Sequence, residues 1–164
     1  MPSTSASFLW TVTIFAGAVL LGGARPSYAK KPAPSCAQQV IVPGEDRFFP
    51  LALTIRAGDC VQWVNQDTDD HTVVSDDVFN TAGNKGTDHL LPGTDSNGGQ
   101  PGTFVLRFNK SGTFVYYCRF HSHLDGDSQP VAPGPDGGIQ DASGNFGTPM
   151  MGVITVKPHG ENDD

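Results

Sequence analysis

Hydrophobic residues along this chain recur mostly at every second position, in runs of about five or six broken by turn formers. In "CVQWVN" (60–65), Val61 and Trp63 share one face. In "TFVLRF" (103–108), Phe104, Leu106 and Phe108 point one way while Val105 and Arg107 point the other. The turn "NKSG" (109–112) leads into "TFVYYC" (113–118), with Phe114, Tyr116 and Cys118 on one side. Side chains alternate across a strand, so each run predicts a half-buried β-strand. "QQVIVP" (38–43), "LALTI" (51–55, closed by the turn "RAGD"), "HTVVS" (71–75) and "GVITV" (152–156) complete the set. No stretch keeps a helical period over a useful length. Short strands at turn-rich spacing predict an all-β sandwich or barrel.

Two stretches break the rhythm. Residues 80–102 and 122–149 are rich in Gly, Pro, Asn and Asp, and are expected to be long loops, functional or disordered. The chain ends in a polar tail, 159–164, expected to be mobile. At the other end, Phe8 to Ala24 is apolar and uncharged. Small residues Ser27 and Ala29 follow, a pattern that predicts a signal peptide cut after Ala29 and hence export to the periplasm or the exterior. An uncleaved membrane anchor through 8–24 is the alternative. Residues 30–37 then form a flexible lead-in to a domain over 38–158.

Composition narrows the partners. The chain of 164 residues carries a formal net charge of −7, and all 17 acidic residues lie beyond residue 29. An acidic domain of this kind is unsuited to nucleic acid or to an anionic membrane surface. It suits a partner with a basic docking surface, and a monomer is expected.

Chemistry enters through the cysteines. There are three, an odd number for an exported chain. Cys36 and Cys60 are expected to form a disulfide, with one of them a small buried hydrophobe as the alternative. Cys118 then remains, in "YYCRFHSH" (116–123). A free thiol in an oxidising compartment calls for an occupant, and a metal serves. His121 follows at three residues, His71 opens an earlier strand, and Met150 and Met151 precede the last one. Thiolate, imidazole and thioether together suit copper cycling between Cu(II) and Cu(I).

With these residues in view, the chain resembles the blue-copper cupredoxins of the plastocyanin and pseudoazurin type. "VQWVNQDTDDHTVVSDDVF", "GTFVYYCRFH" and "MMGVITV" carry the likeness, which runs from about Val40 to Val156 apart from the two long stretches. The resemblance implies an antiparallel Greek-key β-sandwich and one type 1 copper site with ligands His71, Cys118, His121 and Met150. It implies an electron carrier serving redox partner proteins rather than an enzyme, with copper storage, delivery or sensing as the alternative. Met150 is preferred over Met151 because the family's ligand stands two residues before a glycine, here Gly152. His121 is preferred over His123 on its Cys-x-x-His spacing. His89 and His159 are expected to be solvated, His123 to be an exposed loop residue or a weak second ligand, and Asp69 and Asp70 to form an acidic rim.

The 28 residues between His121 and Met150 depart from the family's short loop. Closure entropy grows only logarithmically, so extending about 4 residues to this length costs roughly 1.7 kcal/mol. A copper site tolerates that, and the insertion is expected to reshape the surface around it.

Overall fold

A computed structural model describes residues 36–83 and 86–160. The expected signal or anchor segment, most of the lead-in and the end of the tail lie outside them. Ten strands follow in chain order: β1 (Gln38–Val42), β2 (Ala52–Arg56), β3 (Cys60–Asn65), β4 (His71–Ser75), β5 (Thr87–Leu91), β6 (Gly102–Arg107), β7 (Gly112–Tyr117), β8 (His123–Leu124), β9 (Pro130–Val131) and β10 (Met151–Lys157). No helix among the described residues is long and apolar enough to cross a membrane.

The strands make two main sheets, ordered β1-β3-β6 and β2-β10-β7-β4-β5. The inward faces read from the alternation meet between them. Val61 and Trp63 come from one sheet, and Phe114, Tyr116 and Ile154 from the other, all buried in a single core. Trp63 sits at the centre, edge-on to Tyr116 with ring centroids 5.3 Å apart. An all-β sandwich results, as the alternation predicts. Its pairings are antiparallel except at one edge of each sheet, where β1 runs parallel to β3 and β2 parallel to β10. Wholly antiparallel sheets therefore describe the core pairings but not these edges.

Local chemistry sets the turns. Between β2 and β3, Asp59 N–H donates to the Arg56 carbonyl at 3.0 Å. Gly58 sits there at φ 101°, a conformation in which a β-carbon is strained. A disulfide joins Cys36 to Cys60 ahead of β1 and at the start of β3.

Both expected loops contain structure. Residues 80–102 hold β5, an edge strand paired with β4. Residues 122–149 hold the β8–β9 hairpin and a bridge between Ile139 and Thr148. Ile139 packs against the core, so the insertion is tied to the domain.

Candidate metal centre

The inward face of β7 runs Phe114, Tyr116, Cys118, which carries the alternation one step past the strand end. Cys118 is completely buried and has no disulfide partner. Its N–H donates to the Met150 carbonyl at 3.0 Å, and His121 N–H donates back to the Cys118 carbonyl at 3.1 Å. That turn brings His121 beside the cysteine. Met150 is completely buried in the same core cluster, whereas Met151 is half-buried and pairs with Tyr117 on β7.

Gly152 explains its own place in the motif. A β-carbon there would stand 2.3 Å from the Tyr116 hydroxyl oxygen, closer than any real contact. The missing β-carbon leaves room for the Tyr116 ring against β10.

His71 arrives from β4. The segment before it is organised by Asn65, fully buried at the end of β3. Asn65 Nδ2 donates to the Asp69 carbonyl at 2.8 Å and to the Leu91 carbonyl at 3.0 Å, while its Oδ1 accepts Asp67 N–H at 3.0 Å. One side chain thus holds the connection and β5 in register with His71. Thr72 couples this strand to the cysteine. Its hydroxyl lies 3.7 Å from Cys118 Sγ and accepts Arg119 N–H at 2.9 Å.

His71 Nδ1 stands 3.7 Å from Cys118 Sγ. One donor atom from each of His71, Cys118 and His121 lies within 4.8 Å of the other two. His121 Nδ1 is shielded from solvent and has no hydrogen-bond partner. A buried polar atom without a partner is costly, and a metal ion would supply one. Two imidazole nitrogens, a thiolate and a nearby methionine fit copper by donor softness.

Electrostatics prepare the sulfur. Burial pushes the Cys118 thiol up, but His121, His71 and the backbone near Phe120 and Thr72 outweigh it and bring it down to about 5. The same contact raises His121 against the opposing effect of burial. Burial works to lower His71, and the contacts to Cys118 and Asp67 carry it upward.

A family model for copper binding proteins of the plastocyanin/azurin family matches residues 38–127, more than half of the chain. The chain belongs to the plastocyanin/azurin family of copper binding proteins. The matched range of this cupredoxin ends inside the insertion, so Met150 and β10 lie beyond it. Solved structures similar to the cupredoxin include a reduced amicyanin mutant, at 19% identity over 74% of this chain and 82% of that one with TM-score 0.47. Amicyanin from Paracoccus versutus is another, at 17% identity over 77% and 86% with TM-score 0.46.

The remaining histidines stand apart from this cluster. His89 is exposed on β5, its ring stacked on Phe104 at 4.1 Å. His123 is exposed at the start of β8, and His159 near the end of the described chain. Asp69 is exposed, but Asp70 is more than an acidic rim, since its Oδ1 accepts Gly93 N–H at 2.8 Å and the Ser96 hydroxyl. Two residues escaped the sequence reading. Asp67 Oδ2 lies 3.3 Å from His71 Nε2 and Asp46 Oδ1 lies 3.4 Å from it. Asp67 had a signal, its place four residues before His71; Asp46, from the β1–β2 connection, had none.

Proposed function

We propose that this cupredoxin is an exported one-electron carrier whose copper is held by His71, Cys118, His121 and Met150. The observation that carries the reading is the buried Cys118 between two imidazoles, one with an orphaned nitrogen. Copper bound there supplies a Cu(II)/Cu(I) couple that takes up and releases single electrons. The chain's own residues do the rest. Cys118 offers a thiolate kept anionic by its neighbours. Trp63, Phe114 and Tyr116 pack the core behind it and keep water out. The donors stand on strand ends and a hydrogen-bonded turn, and such placement holds them still while the charge of the site changes.

Complete burial of Cys118 and His71 favours retention of the metal over hand-off, and so electron transfer over storage or delivery. The acidic balance favours a redox partner with a basic docking surface, met faster at low ionic strength. The test is addition of Cu(II) to the purified protein. An intense blue thiolate-to-copper band that disappears in Cys118→Ser, with reversible voltammetry and no loss of metal to a chelator, is expected. No band, or one unchanged in Cys118→Ser, overturns the ligand set.

A further inference from the structure

His71 presents two edges. Nδ1 faces Cys118, while Nε2 faces two carboxylates from different parts of the chain. Asp67 comes from the β3–β4 connection, with Oδ2 at 3.3 Å, and its side chain is nearly buried. Asp46 comes from the β1–β2 connection, with Oδ1 at 3.4 Å. That oxygen is shielded from solvent and makes no hydrogen bond, although the rest of the side chain is partly exposed.

A carboxylate only accepts. Nε2 therefore carries a proton and donates to Asp67, and in the neutral imidazole that a metal requires this leaves the Nδ1 lone pair on the Cys118 side free to bind the ion. The Nε2 hydrogen bond goes to Asp67, and Asp46 Oδ1 receives none. Asp46 acts through its charge instead, a second negative group set against the back of a ligand. Outer partners of this kind orient a metal-binding histidine and raise its basicity. Negative charge behind a ligand favours the more positive oxidation state.

We propose that Asp46 and Asp67 are paired positioning residues for His71, Asp67 fixing its tautomer and orientation and both carboxylates together lowering the reduction potential of the bound copper. The inference rests on His71 being a ligand, as proposed above. Asp46 is the less obvious member and the cleaner one to change. It adopts φ 51°, a region asparagine tolerates as well as aspartate, so Asp46→Asn keeps the backbone. It is also more exposed than Asp67, and solvent screens its charge more strongly.

The experiment compares wild type with Asp46→Asn, Asp67→Asn and Glu45→Gln. Glu45 neighbours Asp46 but is paired with Arg47 at the surface, which makes it a control for charge in general. Voltammetry of the copper-loaded proteins should show a raised potential in Asp46→Asn, a larger rise in Asp67→Asn, and little change in Glu45→Gln. Copper affinity in Asp67→Asn should fall by about 10- to 100-fold. Imidazole NMR of the metal-free proteins gives a readout independent of copper. The Nε2–H resonance of His71 should lie downfield in wild type and move upfield in Asp67→Asn. An unchanged potential in Asp46→Asn, or an equal rise in Glu45→Gln, overturns the role of Asp46. An unmoved Nε2–H resonance overturns that of Asp67. Absence of the blue band with the NMR result intact would instead count against the copper ligand set.

Discussion

Cys118 is, in the metal-free protein, a far stronger acid than an ordinary thiol. Its value near 5 means that the sulfur is anionic at neutral pH and takes up a proton as pH falls through that point. Thiolate absorbance in the ultraviolet should therefore persist down to about pH 5 in metal-free protein and be missing in Cys118→Ser. Copper must compete with that proton only at lower pH, so its affinity should fall as pH drops through 5 and stay level with respect to this group above it. The cysteine and its histidines were legible because a short spacing, Cys-x-x-His, carries half the cluster, and a β-branched strand opening on histidine carries another part. The reasons behind neighbouring residues were not. Gly152 reads as a motif position, yet its cause is the Tyr116 hydroxyl from the next strand. Asp46 reads as a surface acid, because nothing local shows that it reaches His71 across the end of the sandwich.

Strands explain why the cluster has room to exist. The ladder between β4 and β7 consists of Val74 opposite Tyr117. Beyond that pair the strands part, and His71 and Cys118 face each other across the gap. Thr72 spans it with its hydroxyl, between Arg119 N–H and the sulfur. Thr72→Val keeps the shape and removes the bridge. Loss of the acceptor for Arg119 N–H should cost about 1–2 kcal/mol, measured by denaturant unfolding. The thiolate, deprived of a donor, should give up its electron more easily and shift the blue band to longer wavelength. Most strands showed themselves by alternation, since one face meets the core. Strand β5 did not: Thr87, Asp88, His89 and Leu90 lie at the surface or close to it and only Leu91 is buried, so no periodic signal remained. The parallel pairs β1–β3 and β2–β10 were equally hidden, because partnership between distant strands leaves no mark on either one.

The whole molecule is held by more than its core. The disulfide closes 24 residues of sequence separation between Cys36 and Cys60. By loop entropy that contributes about 3 kcal/mol. Replacing both cysteines by serine should lower unfolding free energy by about that much while the blue spectrum stays as it was, because neither residue touches the metal donors. At this scale the insertion was the least legible feature. Its Asp, Gly and Pro content reads as solvated coil, but the acids are used locally. Asp125 Oδ1 accepts Asp127 and Gln129 N–H groups, and Asp141 Oδ1 accepts those of Ser143 and Asn145. Residues that looked like charge on a loose segment are the fasteners that shape it.

The two feet of that insertion stand together. Ser122 Oγ donates to the Met150 carbonyl at 3.2 Å, and Cys118 N–H holds the same carbonyl from the other side. Chain leaves the copper cluster and re-enters it through one doorway, whatever its length in between. Such a doorway separates two kinds of change. Descendants of this sequence can rewrite the excursion, and a designer can graft a recognition peptide into it, while Cys118 and Met150 keep their places. The protein thereby carries an adaptable port whose anchorage does not depend on what the excursion between its feet contains.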